Sequence, residues 1–350
     1  MKFENQLKEY KNKIDQFLIE CLELEKQRAS SVHPCNERIL EFIIDFCSRG
    51  GKRIRPILLI KAYEAVVHHE VGGNDLTEIT RTSICMELLE AYLLIHDDII
   101  DQDETRRGGL AFHKMAQPLG GNKHFGLSSG IIAGDMLGCL AIKIIMESTF
   151  SESSKLRALN EFIEAELNCF HGELYDVILE HEDASEQELL KMIDLKTSSY
   201  TTQAPLVIGA ILGQGTDGQI DILRAYGKLL GRAFQITDDI LGTFGDEKTT
   251  GKPAASDIKQ GKKTLLLIYA LNHSSTQEID LLHHSIGNKE LTTNDIENVR
   301  QIFISTGALG FAQAAASQYA EQAKSVLEAS NLSGKEFLIW LTDFVVKRKM

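Results

Sequence analysis

Residues 76–100 read LTEITRTSICMELLEAYLLIHDDII. Apolar side chains recur three to five positions apart or side by side, at Leu76, Ile79, Ile84, Leu88, Leu89, Tyr92, Ile95 and Ile99. That spacing follows the 3.6-residue period of an amphipathic helix and not the two-residue alternation of a strand. Helical periodicity returns nearly everywhere else, and no segment sustains alternation between turn residues. Capping boxes of the form S-x-x-E, at Ser185 to Glu188 and Ser275 to Glu278, mark helix starts. Glycine and proline clusters at Gly50–Gly51, Gly72–Gly73, Pro118 to Gly121, Gly213 to Gly218 and Gly251 to Pro253 mark loops. Pro205 lies inside an apolar helical pattern and predicts a kink near Thr201. The expectation is an all-α protein of roughly a dozen helices.

Composition narrows the class of function. The 350 residues carry 37 Lys plus Arg against 50 Asp plus Glu, a formal charge of −13, with no basic run. A nucleic-acid partner is not expected, because binding a phosphate backbone needs clustered cations. A hydrophobic share of 43% with 25% charged residues is ordinary for a folded protein, and 5 prolines leave long helices unbroken. No run of roughly 18 apolar residues is present, so no membrane span is expected. The best candidate, Gly126 to Met146, is interrupted by Asp135 and Lys143. The start, Met1-Lys2-Phe3-Glu4, lacks the apolar core of a secretory signal. Six cysteines without a C-x-x-C pair read as reduced residues of a cytoplasmic protein. Residues 1–30 form a charged amphipathic helix, expected to pack on the body or on a second subunit. Residues 31–350 read as one domain, since no linker marks a seam.

Two acidic patterns stand out: Asp97-Asp98-Ile99-Ile100-Asp101, followed by Asp103 and Glu104, and Asp238-Asp239-Ile240-Leu241-Gly242. Each ends an apolar helical run. On a helix, residues four apart share a face, so Asp97 and Asp101 project together and repel. A cation relieves that repulsion, and hard carboxylate oxygens suit Mg²⁺, which shares its coordination shell with substrate phosphates. One such motif also fits a solvated helix end; two, about 140 residues apart and each after an apolar helix, favour a metal site. Basic groups punctuate the same order: GGKRIRP at 50–56, Arg106-Arg107-Gly108-Gly109, Lys196-Thr197, Thr250-Gly251-Lys252-Pro253 and Gly261-Lys262-Lys263-Thr264. Arginine forks and lysine point charges are the groups that grip a diphosphate.

The ordered set GGKRIRP (50–56), DDIID (97–101), RRG (106–108), KTSSY (196–200), FQITDD (234–239) and TGKPAASDIKQGKKT (250–264) resembles the trans-isoprenyl diphosphate synthases, over about residues 39–267. The resemblance implies an all-α bundle around a central active-site cavity, a homodimer, and Mg²⁺-dependent joining of isopentenyl diphosphate to an allylic diphosphate. It implies three Mg²⁺ ions on Asp97, Asp101 and Asp238, with Asp98 and Asp239 in close support. Arg106, Lys196, Gln235, Lys252 and Lys262 are implied at the allylic diphosphate, and Lys52, Arg55 and Arg107 at isopentenyl diphosphate. Thr197 joins Lys196 as a catalytic candidate, its carbonyl freed at the kink to face a developing carbocation. The metals and lysines of such enzymes draw diphosphate off as a leaving group, and no Ser or Cys nucleophile is needed. Tyr92, the fifth residue upstream of Asp97, is implied to stop growth near C20, which points to an archaeal-type geranylgeranyl diphosphate synthase.

The chain departs from the family pattern in three places. Gly242 replaces a third Asp in the second motif, with Asp246 the nearest substitute. Glu90 stands where the family has His or Gln at the isopentenyl site, and Glu173 where Gln is common. The basic tail Lys347-Arg348-Lys349 is either a solvated terminus or a cover for that site. Farnesyl or longer-chain synthases, class I terpene cyclases and non-catalytic synthase subunits share parts of the pattern. The isopentenyl grips argue against a cyclase, and the retained aspartates against a silent subunit.

Overall fold

The computed structural model describes residues 2–67, 72–245 and 255–347. These form two compact units, Met1–Leu159 with Ile208–Gly215, and Asn160–Val207 with Thr216–Met350. The change of unit falls inside two helices, α8 (Glu152–Leu179) and α10 (Ala204–Leu212), and again between Gly215 and Thr216, in the loop that follows α10.

The first unit contains α1 (Lys2–Ser30), α2 (Pro34–Ser48), α3 (Ile54–Val66), α4 (Gly73–Ser83), α5 (Cys85–Ile100), α6 (Phe112–Gly120) and α7 (Lys123–Glu147). Ile14, Leu18 and Leu22 repeat every four residues on α1 and are fully buried against its neighbours α2, α3 and α4. Helix α3 is buried nearly throughout, as a central helix must be, and its few charges are paired, as Lys61 is with Glu64 at 2.7 Å. Helix α7 is long and apolar enough to cross a membrane by length and composition, yet half of it is buried within the protein. Its buried face is a row of glycines. A Cβ on Gly134 would lie 2.4 Å from His96 Nε2, and one on Gly138 3.2 Å from the Tyr92 ring. These glycines let α5 lie close against α7, one of its main partners.

Between α5 and α6 the chain makes an antiparallel hairpin of β1 (Thr105–Arg106) and β2 (Gly109–Leu110). This is the small exception to the all-α expectation. The two turn residues, Arg107 at φ 51° and Gly108 at φ 75°, carry the positive φ that a two-residue hairpin demands. The RRGG sequence thereby doubles as a turn.

The second unit contains the rest of α8, α9 (Glu186–Ile193), a π-helical segment (Asp194–Gln203), the start of α10, and α11 (Asp217–Phe244). It continues with α12 (Ser256–Gln260), α13 (Leu265–His273), α14 (Thr276–Ser285), α15 (Thr293–Ser305), α16 (Ala308–Glu328) and α17 (Lys335–Val346). Leu189, Ile193, Ile236, Ile240, Leu266, Val299 and Phe303 centre its core. Both expected capping boxes are formed, at Ser185 and Ser275, and two more occur at Thr216–Gln219 and Thr292–Asp295.

Around Thr201, where the sequence predicts a kink, the chain forms a π-helical run over Asp194–Gln203, and Pro205 lies in the first turn of α10 that follows it. Ala204 N–H donates to the Ser199 carbonyl, five residues back instead of four. Hydroxyls satisfy carbonyls around it: Ser199 Oγ donates to Leu195 O at 2.5 Å, and Thr202 Oγ1 to Ser198 O at 3.0 Å. The KTSSYTT run is therefore largely buried and polar, and the Ser199 and Thr202 hydroxyls are hydrogen-bonded within it.

Candidate active site

In the first unit the acidic motif closes α5. Asp97 and Asp101, four apart, bring carboxylate oxygens within 4.8 Å of each other, while Asp98 turns inward and is fully buried. A helix C-terminus disfavours anions, and the hairpin answers with a cation. Buried Arg106 donates through Nε to Asp98 Oδ1 at 2.5 Å, and through Nη2 to Asp97 at 3.0 Å and Asp103 at 3.2 Å. Burial still dominates at Asp98 and pushes its pKa up to about 7, against the opposing pull of Arg106. Tyr92, one turn and a half earlier, is buried on the α7 glycines and packs edge-on against His96, with ring centroids 4.9 Å apart.

The GGKRIRP loop divides its cations by burial. Lys52 is exposed. Arg53, which the sequence does not single out, is 3% exposed with φ 53°. It donates to Asp15 Oδ1 of α1 at 2.7 Å, Glu87 Oε2 of α5 at 2.5 Å and the Cys47 carbonyl at 2.7 Å. It anchors the loop, and holding a non-glycine residue in the left-handed region takes just such a set of contacts. Arg55 and Arg107 converge on Glu90, 3.0 Å from Oε2 and 3.3 Å from Oε1 respectively. The loop and the hairpin thus present the cations that the resemblance assigns to isopentenyl diphosphate around the one residue that departs from it.

In the second unit the π-helical segment carries Lys196 and Thr197. Gly172 of α8 makes the segment's close approach necessary: a Cβ there would lie 2.2 Å from the Lys196 backbone nitrogen. Lys196 Nζ bonds Asp176 at 2.6 Å and Glu173 at 2.9 Å, so Glu173 serves as a counter-ion where the family's Gln would be neutral. Thr197 Oγ1 donates to Gln235 Oε1 at 2.7 Å, and Gln235 Nε2 donates to Asp239 Oδ1 at 2.7 Å. Asp238 is exposed and Asp239 buried, the same outward–inward order as Asp97 and Asp98. Burial first, and then the neighbouring Asp257 carboxylate, hold the Asp239 pKa well above the ordinary carboxylate range, while Gln235 and Lys262 oppose the shift. A Cβ on Gly242 would sit 2.2 Å from Asp257 Oδ2. Asp257 fills the space that a third aspartate would need, which explains the glycine physically. The sequence contains Asp257 within the TGKPAASDIKQGKKT run but gives no spacing signal for it. Lys252, Asp246, Arg348 and Lys349 lie outside the described residues.

The carboxylates suit Mg²⁺. The ion takes oxygen ligands at roughly 2.0–2.1 Å, and the Asp97 and Asp101 oxygens lie near enough to each other to share one; Asp98 Oδ2 is a buried acceptor with no hydrogen-bond donor among the described residues.

Residues 36–303 match the family model described as Polyprenyl synthetase. The chain belongs to this family. The polyprenyl synthetase is 34% identical over 328 residues to the short chain isoprenyl diphosphate synthase of Methanothermobacter thermautotrophicus, covering 93% of this chain and 94% of that protein. It is 34% identical over 307 residues to the geranylfarnesyl diphosphate synthase of Aeropyrum pernix, covering 85% and 91%. Among solved structures it resembles the geranylgeranyl pyrophosphate synthase of Corynebacterium glutamicum complexed with isoprenyl diphosphate and magnesium. That likeness has a TM-score of 0.92 and 29% identity, covering 98% of this chain and 99% of that one. The polyprenyl synthetase therefore spans its relatives almost end to end.

Proposed function

We propose that this polyprenyl synthetase is a Mg²⁺-dependent short-chain prenyltransferase. It condenses isopentenyl diphosphate with allylic diphosphates (dimethylallyl, geranyl, farnesyl) to give mainly geranylgeranyl diphosphate, C20, and releases pyrophosphate. The observation that carries the reading is the end of α5, where Asp97 and Asp101 share a face beside a buried arginine. That arrangement favours a diphosphate arriving with its metal over a free anion.

In this reading Asp97, Asp101 and Asp238 would hold Mg²⁺, three ions in all, and the metal would supply positive charge against that of a leaving diphosphate. Asp98 and Asp239 orient their outward neighbours, half-buried Asp97 and exposed Asp238. Arg106, Lys196, Gln235, Lys252 and Lys262 grip the allylic diphosphate, and Lys52, Arg55 and Arg107 the isopentenyl diphosphate. Thr197 belongs to the π-helical segment, whose altered carbonyl register supports a role facing the allylic cation. Tyr92 limits the tail: its ring is locked by Gly134, Gly138 and His96 and cannot swing aside cheaply.

Residues 31–350 act as one catalytic domain, with 1–30 as an N-terminal helix. The protein works as a homodimer in the cytoplasm. Exposed Ile163, Leu167, Leu174 and Ile178 on one face of α8 support the second copy, and six free cysteines support a reducing compartment. Incubation with labelled isopentenyl diphosphate, farnesyl diphosphate and Mg²⁺, with the product mass measured, tests the whole reading. A linear C20 diphosphate supports it. A cyclic hydrocarbon formed from the primer alone, or no product, refutes it.

A further inference from the structure

Glu90 is 6% exposed, and its two carboxylate oxygens each face a different arginine, Arg55 from α3 and Arg107 from the hairpin turn. Neither arginine sits there by accident of a flexible chain. Arg55 follows a loop that Arg53 pins to α1, α5 and the Cys47 carbonyl. Arg107 is a turn residue with φ 51°, and Nη1 also donates to the Gly50 carbonyl at 3.5 Å. The hairpin that carries it is held by Arg49, whose Nη1 donates to the Leu110 carbonyl at 2.6 Å. Gly109 leaves room for that guanidinium, which a Cβ would meet at 2.5 Å. Two guanidinium groups held in this way match the oxygens of a diphosphate. A carboxylate already bridges them.

We infer that Glu90 is an internal anion that occupies the diphosphate fork of Arg55 and Arg107 and must yield when isopentenyl diphosphate binds, so that it sets the affinity for that substrate. The inference rests on the isopentenyl site proposed above and deepens it. Two effects of Glu90 compete. It keeps the two arginines together in the empty protein, which lowers the cost of organising the site. It also sets a fixed negative charge against an incoming trianion. At the few ångströms that separate these groups, like-charge repulsion across a half-buried site outweighs the organising effect. The loop and the hairpin hold the arginines independently, so little organisation is lost when the carboxylate charge is removed.

The test is steady-state kinetics of the full chain as wild type, Glu90→Gln and Glu90→Asp, with each substrate varied while the other saturates. Glu90→Gln lowers the KM for isopentenyl diphosphate by about tenfold and moves the allylic KM less than about twofold, because the removed repulsion acts at one site only. Glu90→Asp retains the charge and stays near the wild-type KM. An isopentenyl diphosphate KM in Glu90→Gln that is unchanged or raised overturns the inference.

Calorimetric titration of the same three proteins with isopentenyl diphosphate separates the two levels of the argument. Wild type that binds, with Glu90→Gln binding no tighter, removes only the role of Glu90. Wild type that does not bind removes the isopentenyl site itself. Should the variant fail to fold, a crystal structure of the wild-type complex decides. Diphosphate oxygens on Arg55 and Arg107 with Glu90 turned away support the inference. Glu90 still bridging the two arginines contradicts it.

Discussion

The two acidic motifs are built alike and compensated differently. In each, an outward aspartate precedes a buried one: Asp97 before Asp98 on α5, Asp238 before Asp239 on α11. At the first motif the inward carboxylate meets a permanent cation, Arg106, buried beside it. At the second it meets a glutamine and a second carboxylate, Asp257, with Lys262 supplying the opposing electrostatic pull. The first motif carries its neutralising charge in its own fold. The second takes a proton or an external cation to relieve the Asp239–Asp257 repulsion. A metal site does not need its charge balanced by protein groups at every carboxylate, only enough to let the apo protein fold.

The largest effect should come from removing the proposed ligands. Asp97→Ala and Asp238→Ala are each expected to lower kcat by at least about 10³-fold, since Lewis-acid stabilisation of a leaving group is worth several kcal/mol. The two variants also separate the motifs. Asp238→Ala should raise the Mg²⁺ concentration needed for half-maximal rate more than Asp97→Ala, because the second motif has less built-in positive charge. Equal shifts would erase the contrast.

Next in size is Gly172→Ala. Its Cβ meets the Lys196 backbone, which cannot step aside as a side chain can. Overpacking of this kind costs about 1–3 kcal/mol, to be read as a lowered denaturant midpoint together with reduced kcat. Gly134→Ala meets only side chains, the His96 ring and the edge of the Tyr92 ring, and should lose less stability. The reverse ranking would contradict the view that the π-helical segment is the more rigidly placed of the two.

Tyr92→Ala opens the space beneath the first motif and should move the main product from C20 to longer chains on a mass spectrum. Unchanged C20 output would remove Tyr92 as the gauge.

The smallest effect is on pH dependence. The Asp98 pKa is raised by burial to about 7, from about 3.9 in an unfolded chain. The folded state holds the proton more tightly, so this contribution to stability is complete below about pH 4 and is lost as the pH rises through about 7. Asp239 acts in the same direction. In metal-chelated protein, Asp98→Asn should flatten the decline of the urea midpoint over that range. A slope unchanged from wild type would place the titration elsewhere.

Most of the fold was legible because helical period and capping chemistry are local. Ser185 and Ser275 announced their helices by the S-x-x-E pattern, whereas Thr216 and Thr292 cap with Gln219 and Asp295, variants that the pattern does not contain. The division into units was not legible because two of its three crossings fall within α8 and α10, and the third, at Gly215–Thr216, lies in a glycine cluster that reads as any loop between helices. The π-helical run over Asp194–Gln203 was not legible, because its form depends on which hydroxyls lie near enough to bond its carbonyls. In the candidate site, the carboxylates and most cations could be picked out by spacing. Arg53 could not be told from Lys52 and Arg55, since only the fold places Asp15 and Glu87 against it. Asp257 was hidden for the same reason: its relation to Gly242 exists in space and not in sequence spacing.

The most direct test is turnover of isopentenyl diphosphate with farnesyl diphosphate by the wild-type protein, first with a chelator and then with Mg²⁺ restored in steps. The expected result is no elongation under chelation and a saturable return of a C20 product. Elongation that persists with the divalent ions removed, or that never appears at any Mg²⁺ concentration, would contradict the role given to Asp97, Asp101 and Asp238.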